Sequence, residues 1–128
     1  MSLENFQKKQ RLCGTRTMLK VSRNRITLTR GDTAYLKLDI TDESGNAYEL
    51  SDGDIIFFRI AEYGTSGRLL LEKTVNTETL TLELKPEDTS GLEFRTYRYE
   101  VEVVTEAGEH FTVIENAAIE ISVELEKH

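Results

Sequence analysis

Apolar and polar residues alternate along most of this sequence, and that period of two limits what the chain can fold into. The alternation is regular in residues 26–29, 36–40, 80–84, 97–103 and 119–125. Successive side chains of a β-strand point to opposite faces of the sheet, so the pattern is typical of half-buried strands. Charged residues at the outward positions favour antiparallel strands with one face toward water. Repetition at short intervals predicts an all-β antiparallel β-sandwich of about seven to ten strands.

The same alternation assigns the core. Charged residues flank the inward positions, as Lys37 and Asp39 do around Leu38. Burial of the inward side chains between two sheets follows from this arrangement. Ten residues are predicted to be buried: Leu36, Leu38, Ile40, Ile56, Phe58, Leu82, Tyr99, Val101, Ile119 and Ile121.

Short polar segments separate the predicted strands. The loops at 42–46 and 105–109 each contain a late glycine, which supplies the positive φ of a hairpin with a bulge. Residues 48–50 are expected to form the returning strand of the first hairpin. Pro86 suits the first position of a helix and Gly91 its end, so one short helical turn is predicted near residues 86–91.

Length and composition indicate one globular domain. The chain has 128 residues, of which 38% are hydrophobic and 30% charged, and such a chain can bury a core without disulfides. No run of about 18 apolar residues occurs, so no membrane-spanning helix is expected. Cys13 is the single cysteine, which excludes an internal disulfide.

Charge is divided unevenly along the chain. Residues 1–30 hold eight basic residues against one acidic residue, which leaves −14 on the remainder of a chain whose net charge is −7. We interpret residues 1–17 as a basic N-terminal arm, flexible or partly ordered by contacts, and residues 18–128 as a single β-sandwich domain. Residues 1–3 (MSL) are typical of an expression-vector remnant. The candidate contact residues of the arm are Lys8, Lys9, Arg11 and Arg16.

Four uses of this arm remain open. It could dock on the acidic body of a neighbouring copy, fold back on its own body, bind the phosphates of nucleic acid, or stay solvated. The acidic body should repel phosphates, which disfavours nucleic acid. A homo-oligomer built by arm exchange is the most specific of these hypotheses.

One predicted strand is apolar on both faces. In the segment 55–60 (IIFFRI), Ile56, Phe58 and Ile60 should enter the core. Ile55 and Phe57 then occupy the opposite face, which is unusual for a face toward solvent. Either the rest of the chain covers them or they form an interaction patch for a partner or a second copy.

No residue set with catalytic spacing is visible in the sequence. His110 adjoins a hairpin turn and His128 is terminal, and neither accompanies a nucleophile motif. Cys13 has no nearby histidine. We therefore expect a protein that is not an enzyme and that needs no cofactor.

Two further patterns fit structural turns better than sites. Acidic residues crowd two neighbouring loops but lack the 12-residue spacing of a calcium loop, so no metal is predicted. The tripeptide Arg30-Gly31-Asp32 is recognised by integrins in extracellular proteins, yet here it fits a turn between strands. The acidic residues are Asp39, Asp42, Glu43, Asp52 and Asp54.

Turn motifs and strand spacing resemble those of a known class of proteins. The motifs are Arg30-Gly31-Asp32-Thr33, Gly53-Asp54 before an apolar strand, and residues 96–101 (TYRYEV) followed by the Gly108 hairpin. Over roughly residues 20–125 the chain resembles small β-sandwich proteins encoded in phages and prophages of Gram-positive bacteria. It is similar in particular to the N-terminal domain of phage baseplate upper proteins.

This resemblance implies a non-catalytic structural or adaptor protein of a tail, baseplate or related virion component. Its partners would be other virion proteins or further copies of itself. It would occur in the bacterial cytoplasm during expression and then in the phage particle.

A second resemblance concerns architecture. Residues 84–89 (LKPEDT) before a Tyr-x-Tyr strand resemble the crossover that precedes the tyrosine corner of immunoglobulin domains. Tyr97 lies nine residues after Asp88, farther than in that motif, and the paired cysteines and core tryptophan are missing. The resemblance implies an Ig-like sandwich without membership of the antibody lineage.

The alternative function is a carbohydrate-binding β-sandwich module. Sugar platforms use exposed aromatic side chains, and this chain has no tryptophan. Tyr35, Tyr48 and Tyr63 are the tyrosines that could be exposed for this purpose.

Overall fold

A computed structural model describes residues 11–14, 19–22, 24–40, 46–63 and 67–123. These residues form nine strands and one short helix, which confirms an all-β protein with one helical turn. The elements are β1 (Arg11–Gly14), β2 (Leu19–Ser22), β3 (Arg25–Thr29), β4 (Ala34–Asp39), β5 (Ile55–Ala61), β6 (Leu69–Val75), β7 (Thr81–Leu84), α1 (Pro86–Thr89), β8 (Thr96–Val104) and β9 (His110–Ser122).

The strands form a small sheet and a large mixed sheet. The small sheet has the order β1-β4-β7 and the large sheet the order β2-β3-β9-β8-β5-β6. Strands β3 and β9 are parallel, with Ile26 opposite Ile119, so the prediction of a purely antiparallel fold is wrong. Alternation marks the buried face of a strand but carries no direction, and no turn joins these two strands.

Both sheets contribute to one core. All ten residues predicted to be buried are at most 2% exposed. Inward residues of the small sheet, such as Leu38, belong to the same cluster as inward residues of the large sheet, such as Phe58. Both sheets therefore pack on one shared core, and each inner strand has one face turned away from it.

The predicted turns are reproduced in part. The loop between β8 and β9 closes by a hydrogen bond from the Thr105 N–H to the Glu109 C=O, with Gly108 at φ 88°. Residues 48–50 belong to no strand, so the expected first hairpin is wrong in that part; the nearest bridge residue is Ala47. Gly45 lies outside the described residues.

Helix α1 is fixed by its side chains. The Asp88 carboxylate accepts the Lys85 N–H at 2.7 Å and the Lys73 ammonium at 2.6 Å. Burial raises the pKa of Asp88, but the hydrogen bonds from Lys73 and from the Lys85 backbone outweigh it and hold this pKa below its ordinary value. Lys73 also donates to the Glu83 C=O at 2.8 Å, so it joins the edge strand β6 to β7 and α1.

Tyr97 closes the corner that leads into β8. Its hydroxyl accepts the Glu93 N–H at 2.9 Å and donates to the Glu93 C=O at 3.1 Å. Spacing from Asp88 placed Tyr97 outside such a corner, and that expectation is wrong. The partner lies four residues before Tyr97, so the distance along the chain to α1 does not matter.

The proposed boundary between arm and domain stays a prediction, because Lys8, Lys9, Arg16 and residue 18 lie outside the described residues. Within the predicted arm, Arg11–Gly14 form β1 and pair with β4, with Arg11 opposite Asp39. Among the described residues, no helix is long and apolar enough to cross a membrane.

We expect Leu38→Asp and Val101→Asp each to unfold the domain. Both residues are 1% exposed, and an unpaired buried carboxylate costs several kcal/mol. Melting followed by circular dichroism checks this, with Lys37→Asp on the exposed face of β4 as the control. Cooperative melting of both core variants would contradict the assignment of the strand faces.

Tyr97→Phe is expected to lower the free energy of unfolding by about 1 kcal/mol, because it removes both hydroxyl hydrogen bonds of the corner. Tyr35→Phe is the matched control, since its hydroxyl donates to the exposed Glu83 carboxylate at 3.3 Å. Urea unfolding measures the difference. Equal effects of the two substitutions would show that the corner adds nothing to stability.

Candidate protein interaction face

The outward side of β5 exposes apolar residues on an inner strand of the large sheet. Ile55 is 43% exposed and lies opposite Val104 on β8. Phe57 is half-buried and lies opposite Glu102. Two further outward residues, Arg59 and Glu100, complete the surface. We call Ile55, Phe57, Arg59, Glu100, Glu102 and Val104 the β5–β8 face.

Arg59 organises this face. Its Nε lies 2.6 Å from a Glu72 carboxylate oxygen, and its Nη1 lies 2.9 Å from Glu102 and 3.7 Å from Glu100. Hydrogen bonds to Glu72 and Glu102 raise the pKa of Arg59. The guanidinium carbon lies 4.8 Å from the centre of the Phe57 ring, so a cation–π contact holds that ring in place.

His110 extends the network at the end of the face. Its Nδ1 lies 3.2 Å from the second carboxylate oxygen of Glu102. Burial raises the pKa of Glu102, but hydrogen bonds from Arg59 and His110 outweigh it and lower this pKa below its ordinary value. Glu102 therefore remains an anion near neutral pH and fixes Arg59 over Phe57.

This arrangement has the chemistry of a protein-binding surface. Aromatic residues and arginine are enriched in protein interfaces. One guanidinium is surrounded by three carboxylates, from Glu72, Glu100 and Glu102, so the face is acidic overall. A partner that combines apolar and basic groups complements it.

Lys8, Lys9 and Arg16 lie outside the described residues. Arg11 starts β1 in the small sheet, and only its backbone is described. Contact between these residues and the patch of Ile55 and Phe57 stays a prediction.

Several acidic side chains adjoin a depression of about 440 Å³ beside the β8–β9 loop. Asp54, only 8% exposed, accepts the Ser51 N–H at 2.8 Å and the Glu106 N–H at 3.0 Å. Its carboxylate thus ties two loops together. Burial, followed by the charges of Asp54 and Glu109, raises the pKa of Tyr48 in this depression.

Other predicted acidic and titratable residues are dispersed. Asp42, Glu43 and His128 lie outside the described residues, and Cys13 lies in β1 opposite Lys37. Over the described ranges, no group of three or more His, Cys, Asp and Glu residues is placed to hold a metal ion.

The Arg30-Gly31-Asp32 segment is a turn held against α1. The Arg30 guanidinium lies 4.0 Å from the centre of the Phe94 ring and donates to the Leu92 C=O at 3.3 Å. The Gly31 N–H donates to the buried Thr89 hydroxyl at 2.9 Å. These contacts give the tripeptide a structural role between β3 and β4.

The tyrosines of the carbohydrate hypothesis lie apart. Tyr35 borders a polar groove of about 500 Å³ that also contacts Thr74, Asn76 and Thr81. Tyr48 borders the separate acidic depression. Tyr63 is 45% exposed and adjoins neither depression.

No protein-family model matches the sequence, and no curated protein matches it significantly.

Sequence reasoning identified Ile55 and Phe57 but missed Arg59 and its carboxylate partners. Alternation does place Arg59 and Glu102 on the outward positions of their strands. Their contact depends on β5 pairing with β8, which lies about forty residues later in the chain. Strand neighbours at that separation leave no local signal in one sequence.

Glu102→Gln is expected to destabilise the domain at pH 7 and progressively less toward pH 3. The folded-state pKa of Glu102 is lowered, so its stabilising effect is present above the ordinary Glu value, about 4.3, and is lost as pH falls toward the folded-state pKa. Urea unfolding at several pH values measures the difference from the unsubstituted protein.

Glu100→Gln is the matched control, because Glu100 lies 3.7 Å from Arg59 and is largely exposed. Its effect should be small at every pH. A Glu102→Gln effect that is the same at pH 7 and pH 3 would contradict the role of the ionised Glu102 carboxylate.

Proposed function

We propose that this chain is a non-catalytic structural or adaptor protein of a phage or prophage particle that works through protein–protein contacts at the β5–β8 face. One observation carries the proposal. Ile55 and Phe57 lie outward on an inner strand whose inward residues already fill the core. Ile55 is 43% exposed there, next to the half-buried Phe57 ring, and exposed apolar surface of this kind is typical of an interaction site.

An Ig-like sandwich is the finer fold that we propose. The order β1-β4-β7 corresponds to strands A, B and E of such a domain, and β9, β8 and β5 correspond to G, F and C. Strand β6 takes the place of the additional C′ strand of variable-type domains. The Tyr97 corner at the start of β8 supports the same assignment.

The particle setting rests on the resemblance of residues 20–125 to small phage and prophage β-sandwich proteins. Under this proposal the chain occurs in the bacterial cytoplasm during expression and then in the virion, in a tail, baseplate or related component. Its partners are other virion proteins or copies of itself, and it needs no cofactor, nucleic acid or membrane.

Carbohydrate binding is the second candidate function, and one observation favours it. The groove beside Tyr35 combines an aromatic side chain with the hydroxyl and amide groups of Thr74, Asn76 and Thr81. Such groups can hydrogen-bond a sugar that stacks on the ring. A glycan array separates the candidates, since sugar binding predicts a signal that Tyr35→Ala abolishes.

Mass spectrometry of purified particles tests the proposed function. Particles released from a host that encodes this chain should contain it in a fixed ratio to the other virion proteins. An abundant cytosolic enzyme of the host serves as the control for carry-over. Recovery of the chain only in the soluble fraction of the lysate would contradict the proposal.

A further inference from the structure

We infer that the β5–β8 face receives the basic N-terminal segment, residues 1–10, of a second copy of this chain. The inference rests on the proposed function only in taking this face as a docking surface. It adds the identity of the occupant and the head-to-tail direction of the contact.

The chemistry of the segment complements the face. The face offers apolar contact at Ile55 and Phe57 beside the carboxylates that surround Arg59. Residues 1–10 contain Phe6, and two residues later comes Lys8. In an extended segment residues two apart lie on the same side, about 7 Å from each other. Phe6 can therefore pack on the apolar end while Lys8 meets the carboxylates.

The charge balance supports the same occupant. Residues 1–10 hold Lys8 and Lys9 against the single acidic residue Glu4, whereas the region after residue 30 carries −14. A basic segment bound to an acidic face reduces the repulsion among the acidic residues of that copy. Opposite charges also steer the two copies toward each other at long range. Contact between the acidic faces of two copies offers no such gain.

The length of chain before residue 11 decides whether the segment binds the face of its own copy or that of a second copy. Residue 11 begins β1 in the small sheet, whereas β5 and β8 belong to the large sheet. Lys9 and Lys8 precede it by two and three residues, at most about 7 and 11 Å of extended chain. Packed sheets are about 10 Å apart, and the chain must also pass around the large sheet. This short span favours the face of a second copy over the face of the same copy.

A contact of this kind is heterologous, since each copy offers one segment and one face. Such contacts close into a ring or continue as a filament. Because exposed charges take part, the assembly should weaken as salt is added.

Complementation between two variants tests the inference. Lys8→Glu with Lys9→Glu disables the segment, and Ile55→Lys disables the face by placing a cation on it. Each variant alone should sediment as a monomer at low salt, whereas the unsubstituted chain forms larger species. An equimolar mixture should regain a heterodimer, because the first variant keeps its face and the second keeps its segment.

Val123→Lys is the matched control, since Val123 is 59% exposed and lies just beyond the end of β9. It should assemble like the unsubstituted chain. Circular dichroism melting confirms that each variant is folded. If Ile55→Lys fails to fold, Glu100→Lys replaces it, because that side chain is 45% exposed on the same face.

A monomeric unsubstituted chain at high concentration and low salt would overturn the inference, and so would a mixture that stays monomeric. Assembly that survives both variants would overturn it as well. These failures are distinct from failure of the proposed function. A chain found in particles but monomeric alone loses only this inference, whereas one that assembles by complementation but is missing from particles loses only the virion role.

Discussion

Packing of the large sheet against the small sheet around one core is the interaction on which the rest of the structure depends. On β5 this packing commits Ile56, Phe58 and Ile60 to the inside, each with 0% exposure. Since neighbouring side chains of a strand point in opposite directions, Ile55 and Phe57 must then face outward. The core therefore fixes the position of the apolar patch. A one-residue shift of β5 would turn the patch inward and would turn the three core residues outward.

The edges of the sheets are protected in ways that the β5–β8 face is not. On the edge strand β6, the Lys73 side chain points inward and donates hydrogen bonds to the Asp88 carboxylate and to the Glu83 C=O. Inward charges and bulges on an edge strand oppose pairing with another chain, and a bulge lies at Ile60/Ala61 where β5 meets β6. Addition of a strand at the β6 edge is therefore disfavoured.

Local patterns predicted the fold class and the core, because alternation is read within a single strand. They did not predict the parallel pairing of β3 with β9, which is set by strands about ninety residues apart. The Arg59 network was missed for the same reason, since its partners come from β6 and β8. The role of Tyr97 was missed for a different reason. Its spacing was measured from Asp88, whereas its hydroxyl binds the backbone of Glu93, which is nearer in the chain.

A spectrum of isotope-labelled isoleucine methyl groups, recorded over a range of protein concentrations at low salt, tests the role of the face most directly. Ile55 is 43% exposed and its neighbour Ile56 is fully buried, so the two report on opposite sides of one strand. If a second copy binds the β5–β8 face, the Ile55 methyl signal shifts as concentration rises and returns as salt is added, while Ile56 stays constant. An Ile55 signal that is independent of both concentration and salt would contradict it.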